Sequence, residues 1–157
     1  MEILVENYKI HRNLLDDAFC DHIASVFREN STYNPRGDWN AYDLNKNPLY
    51  LKVIEKFSPV ISYDFTVNWI NITEYNKGDG LRHHRDESST LTIICEITDS
   101  YKGGSVILDR TTTIDLNKGD VLLFDGSKVT HGVEKVIEGQ RLSLNLWTVP
   151  NTRKTLI

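Results

Sequence analysis

The stretch from residue 81 to residue 89, LRHHRDESS, sets two histidines side by side and an aspartate two places after the second. Imidazole and carboxylate are both metal ligands, so the question is whether the rest of the chain can complete a coordination sphere. The stretch follows the turn-rich YNKGDG and leads into the β-rich TLTIICEI, which places it in extended conformation at a strand edge. Extended backbone has a period of two, so His84 and Asp86 share one face while His83 and Arg85 share the other. Taken alone, such a pair is more often an ordinary polar strand edge than a ligand pair. Its weight comes from His131 in FDGSKVTHGVEKV, just past another strand-like run. Two imidazoles and one carboxylate make the facial triad that holds non-haem Fe(II) and leaves coordination positions open. Zinc-peptidase chemistry would need HExxH on a helix, and that string is absent.

Ten residues beyond His131 begins RLSLNLW, in which Arg141, Ser143, Asn145 and Trp147 alternate with Leu142, Leu144 and Leu146. One face is apolar and the other carries hydrogen-bond donors. A half-exposed strand would show the same alternation. If the donor face lines an interior beside His131, however, Arg141 is a buried, permanently charged fork suited to a carboxylate. Burying it without a partner would be costly, so that placement implies an anionic ligand.

These residues need a scaffold, and the chain changes character once, near residue 60. Before it, after a short strand-like start, LLDDAFCDHIASVFREN sets Leu15, Phe19, Ile23, Val26 and Phe27 at helical spacing with Asp16 as the cap. Asn47-Pro48 then opens a second helix with Leu49, Val53, Ile54 and Phe57 facing inward. From residue 65 the pattern becomes FTVNWINITEY, TLTIICEI, GSVIL, TTIDL, DVLLF and RLSLNLW, divided by Gly, Asp and Asn. Strands without intervening helices predict an antiparallel sandwich or jelly roll backed by the two N-terminal helices. A chain of 157 residues, 39% hydrophobic, suffices for one domain over 1–157, with helical support in 1–60 and a β core at about 65–150. The net charge of −4 supplies no basic field for nucleic acid or an anionic membrane, and MEILVENYKIHR is no secretory signal. The expected location is cytoplasmic. Cys20 and Cys95 have neither CxxC spacing nor a disulfide framework and read as reduced packing residues.

From Asn68 to Pro150 the chain resembles the Fe(II)/2-oxoglutarate-dependent dioxygenase superfamily, in particular its prolyl 4-hydroxylase-like branch of small microbial and phage enzymes. The ordered motifs EYNKGDGLRHHRD, ITDSYKGGSVIL and LNKGDVLLFDGSKVTHGVEKVIEGQRLSLNLW carry the resemblance. It implies a cupin-like double-stranded β-helix in which His84, Asp86 and His131 ligate Fe(II), and Arg141 holds the far carboxylate of 2-oxoglutarate. Tyr75 matches a tyrosine that touches the same co-substrate, although a core tyrosine at a strand end is an equal reading. Ser143 and Asn145 are further candidates for bonding the co-substrate or an iron-bound water. The implied reaction consumes dioxygen, hydroxylates a substrate C–H bond and releases succinate and carbon dioxide, with ascorbate as an auxiliary reductant. Gly103-Gly104 and Gly119-Asp120 match structural turns, and Trp147 is expected to pack. Glu96 departs from the Tyr or Gln that related proteins often have near this position, and an acid beside an anionic co-substrate would repel it unless paired or protonated.

The resemblance points to peptidyl proline or another peptide side chain as substrate. A free amino acid or a nucleobase is the alternative, with the acidic balance counting against nucleic acid. A rival class is a non-catalytic jelly-roll module that binds 2-oxoglutarate or senses oxygen; four intact site residues argue against it. The polar segment from Ser31 to Lys46 has the composition of a substrate-covering loop, and Arg82, Arg85, Arg110 and Lys128 are candidates for the mouth. His83 reads as an exposed strand histidine, with a substrate contact or a support behind the ligands as the alternative. RGDW at 36–39 carries no weight as an adhesion motif. Oligomeric state is not encoded in any of these features.

Overall fold

The alternation that marks RLSLNLW extends through the β region, and it sorts the side chains into two layers. The structure is a computed structural model that describes residues 4–5, 8–30, 40–87 and 89–151. Its elements run β1 (Leu4–Val5), β2 (Tyr8–His11), α1 (Asp17–Asn30), β3 (Asn40–Asp43), α2 (Leu49–Phe57), β4 (Phe65–Tyr75), β5 (Leu81–His84) and β6 (Leu91–Glu96). There follow β7 (Tyr101–Gly103), β8 (Val106–Leu108), β9 (Thr112–Ile114), β10 (Val121–Asp125), β11 (His131–Val133), β12 (Val136–Gly139) and β13 (Arg141–Pro150). A seven-stranded sheet in the order β1-β2-β10-β6-β13-β4-β3 faces a four-stranded sheet ordered β5-β11-β8-β9. All the ladders are antiparallel, and β7 pairs with β12 alongside. This is the jelly roll expected, with two helices on its larger sheet.

The outer face of the large sheet and the helices share one core. Leu142, Leu144 and Leu146 of β13 and Ile70 and Ile72 of β4 meet Ile23 and Phe27 of α1 and Val53 and Phe57 of α2, all essentially inaccessible to solvent. Each such side chain contributes about 1.5–3 kcal/mol by leaving water. The capping expectation holds for α1, where Asp16 Oδ1 accepts the Phe19 N–H at 2.8 Å; at α2 the Pro48 N-cap makes no side-chain bond, and Asn47 Oδ1, one residue earlier, accepts the Leu49 N–H at 2.9 Å. The inner face makes a second core, in which Ile94, Leu122 and Phe124 oppose Val106, Leu108 and Val133. Cys20 and Cys95 are buried free thiols.

The strand-like start is β2, which extends the large sheet on one side, while β3 extends it on the other. One expectation needs correction. Within the presumed covering segment, residues 40–43 are strand β3, paired from Asn40↔Glu74 to Asp43↔Asn71; residues 31–39, including RGDW, lie outside the described residues. The extended backbone of β3 is fixed by its ladder to β4 rather than by any apolar pattern of its own.

Candidate functional site

β5 and β11 place two histidines opposite each other. His84 and His131 are register partners, with ring centroids 4.4 Å apart. Asp86 lies past the end of β5 in a loop held by its own N–H, which donates to Gly126 O at 2.8 Å. Its Oδ1 stands 3.4 Å from His84 Nε2 and 3.3 Å from His131 Nε2. One ligand atom from each of the three residues lies within 4.8 Å of the others. Strand parity thus anticipates the pair, although the parity is completed by a loop residue.

The same residues are oriented from behind. His84 Nδ1 lies 2.9 Å from Arg82 O, and His131 Nδ1 lies 2.9 Å from Val129 O. Those carbonyls can only accept, so each Nδ1 carries a proton and Nε2 is the nitrogen turned toward Asp86 and available to a metal. Thr92 Oγ1 donates to Asp86 Oδ2 at 2.6 Å, leaving Oδ1 toward the histidines. Burial alone would raise the Asp86 carboxyl, but bonds from His131, His84 and Thr92 outweigh it and hold it well below the usual carboxylate range. Thr92 carries no motif of its own; its position opposite Trp147 in the β6–β13 ladder is what brings it here.

Arg141 is 1% exposed. Its Nε donates to Glu96 Oε1 at 3.1 Å and Oε2 at 3.3 Å, and Tyr101 Oη donates to Glu96 Oε2 at 2.6 Å. The Tyr75 ring, on the register partner of Arg141, lies 5.1 Å from the guanidinium carbon. Burial would lower the guanidinium's affinity for its proton, but Glu96, Tyr75 and Tyr101 outweigh it and raise it. The two terminal nitrogens of Arg141 are buried without a hydrogen-bond partner among the described residues. Such donors are costly to leave unmet, and a carboxylate is their natural complement.

A cavity of about 200 Å³ joins the two groups, lined by His84, Asp86, His131 and Thr92 and by Tyr75 and Arg141. Ser143 and Asn145 also line it, but they are engaged with one another: Ser143 Oγ donates to Asn145 Oδ1 at 3.1 Å. Asn145 Nδ2 donates to Asn71 Oδ1 and Thr73 Oγ1 at 3.0 and 3.2 Å. Trp147 stacks on Trp69, centroids 4.4 Å apart, and both rings border the cavity. Trp69, Asn71 and Thr73 escape a search for motifs, yet their alternation with Ile70 and Ile72 carries the same signal as RLSLNLW. His83 is not the exposed residue expected: its Nδ1 is buried, and a Cβ at Gly132 would stand 3.1 Å from it. Arg82, Arg85, Arg110 and Lys128 are exposed and do not line this cavity.

The donor set fits the groups that the sequence implies. Three convergent ligand atoms suit Fe(II), and the unmet guanidinium nitrogens in the same cavity suit the far end of a dicarboxylate. The sequence profile of the 2OG-Fe(II) oxygenase superfamily matches residues 70–149. Among solved structures, a viral collagen prolyl hydroxylase from Paramecium Bursaria Chlorella virus-1, in complex with 2OG, is similar at 16% identity and a TM-score of 0.68, over 91% of this chain and 96% of that one. A Pseudomonas putida prolyl-4-hydroxylase is similar at 16% identity and a TM-score of 0.71, over 94% of each chain. HygX from Streptomyces hygroscopicus, with nickel, 2-oxoglutarate and hygromycin B bound, is similar at 13% identity and a TM-score of 0.76, over 92% of this chain and 83% of that one. No curated protein sequence matches the chain. No described helix is long and apolar enough to cross a membrane.

Proposed function

Because the chain belongs to the 2OG-Fe(II) oxygenase superfamily, we propose that His84, Asp86 and His131 hold its Fe(II), that Arg141 and Tyr75 hold its 2-oxoglutarate, and that it hydroxylates a peptidyl proline or another peptide side chain. The observation that carries the assignment is the pairing, in one cavity, of a three-residue ligand set with a buried guanidinium whose terminal nitrogens lack partners. With iron and 2-oxoglutarate bound, dioxygen supplies the oxidation that yields succinate, carbon dioxide and a hydroxylated substrate.

The protein's own residues position and shield. Val129 O and Arg82 O set the histidine tautomers, and Thr92 sets the carboxylate rotamer, so the ligand atoms meet without rearrangement. The Arg141 fork orients the co-substrate through its distal carboxylate. Ile94, Leu81 and Val133 in the cavity wall limit water near the ligand set. Ser143 and Asn145, bonded to each other, act as a rigid polar wall beside the co-substrate.

A peptide substrate is supported by the fold shared with the viral and Pseudomonas prolyl hydroxylases, and by the two indoles at the cavity mouth, whose faces suit a saturated ring. HygX, seen with hygromycin B, makes a small-molecule substrate the second reading. The test is incubation with Fe(II), 2-oxoglutarate, ascorbate and a peptide library, followed by mass spectrometry. A gain of one oxygen on proline-containing peptides is expected. Oxygen gained only by small molecules would contradict the peptide assignment, and no product from either would support the binding-module alternative.

A further inference from the structure

We propose that Glu96 sets the direction of the Arg141 fork and takes up a proton when the distal carboxylate of 2-oxoglutarate binds that fork. This inference rests on the co-substrate reading given above. Glu96 and Arg141 are 3% and 1% exposed, and the carboxylate engages the guanidinium only at Nε. The two partners border different spaces. Arg141 lines the cavity that holds the ligand set, whereas Glu96 lines a separate cavity of about 450 Å³ together with Thr98, Asp99, Tyr101 and Asp115. Holding Nε from behind pins the plane of the group, so both terminal nitrogens are presented forward as a pair.

That arrangement is balanced before the co-substrate enters and unbalanced afterwards. One guanidinium and one carboxylate form a neutral buried pair; a second carboxylate leaves two anions on one cation in a poorly solvated place. The surrounding groups do not compensate. Tyr101 on β7 is a neutral donor, Tyr75 on β4 lies over Arg141, and Asp99, Asp115 and Asp120 add only negative charge. Asp120 is already paired with Arg12 at 2.7 Å. Burial has moved the Glu96 carboxyl upward, with Arg141 and Tyr101 offsetting only part of that rise. Protonation removes the excess anion while the remaining carbonyl oxygen still accepts from Nε, and the rear cavity gives the proton a route that avoids the ligand set.

The sign follows directly. Uptake of a proton on binding means that 2-oxoglutarate affinity falls as pH rises. Glu96→Gln keeps an oxygen acceptor for Nε but carries no charge, so it should bind 2-oxoglutarate more tightly than wild type at alkaline pH, by roughly tenfold, within the usual range of coupling between two sites.

The experiment is anaerobic calorimetry on the Mn(II)-loaded protein in two buffers of different ionisation enthalpy. The ligands are 2-oxoglutarate and pyruvate, a 2-oxo acid lacking the distal carboxylate. Wild type should take up more protons with 2-oxoglutarate than with pyruvate, and Glu96→Gln should abolish the difference. Equal uptake for the two ligands in wild type overturns the proposal without recourse to any variant. So does Glu96→Gln binding more weakly than wild type at every pH with native circular dichroism, which would reduce Glu96 to a structural partner. If 2-oxoglutarate affinity is instead indifferent to Arg141→Ala, the co-substrate reading itself fails and this inference falls with it.

Discussion

At the residue scale, the site divides into groups that touch a ligand and groups that aim them. His84→Ala or Asp86→Ala each removes one of the three proposed ligand side chains, and Mn(II) titration should show severe loss of binding, whereas His83→Ala should leave metal affinity nearly unchanged. Loss in the His83 variant comparable to that in His84→Ala would reverse the assignment. Arg141→Ala should cost about 2–5 kcal/mol of 2-oxoglutarate affinity with metal binding intact, and Arg141→Lys should fall between, keeping the charge without the planar fork. Gly126 belongs to the aiming set. A Cβ there would collide with both Thr92 Oγ1 and Asp86 Oδ2, so Gly126→Ala should weaken metal binding without altering any ligand. Unchanged Mn(II) affinity in that variant would show that the Thr92–Asp86 bond is dispensable.

At the scale of elements, β13 serves both layers at once. Its even-numbered leucines anchor the helices while Arg141, Ser143, Asn145 and Trp147 face the cavity. Leu144→Ala, at a position with no solvent exposure, should therefore destabilise the fold by about 2–5 kcal/mol, read by chemical denaturation. A cost under about 1 kcal/mol would mean that the helices do not depend on this face. This strand was legible in the sequence because one face is strictly apolar, and β4 matches the expected FTVNWINITEY from end to end. The strands β3, β7 and β12 were not legible. They are three or four residues long and carry no alternation, so their state is set by partners far away in sequence: β4 for β3, and each other for β7 and β12. The convergence of His84, Asp86 and His131 was legible because residue types and spacing encode it. The Glu96–Arg141–Tyr101 arrangement was not, since nothing local tells on which side of the guanidinium an acid will stand.

At the scale of the whole molecule, one core packs the helices on the large sheet and the other lies between the two sheets, where a cavity holds the candidate ligand set at one part and Arg141 at another. Ligands that bind only the folded state stabilise it by mass action, so Mn(II) with 2-oxoglutarate should raise the melting temperature more than Mn(II) alone, and Arg141→Ala should erase that extra rise. An extra rise that survives in Arg141→Ala would place the co-substrate elsewhere. The central claim is that the ligand set and the carboxylate anchor together form an oxygenase centre, and it can be tested without knowing the substrate. The measurement is succinate formation by the purified Fe(II)-loaded protein in air, with 2-oxoglutarate and no other substrate. The account predicts slow release of succinate that disappears without oxygen and in a His131→Ala variant of native circular dichroism. Succinate release that persists in that variant, or none from wild type with 2-oxoglutarate bound and peptides supplied, would contradict it.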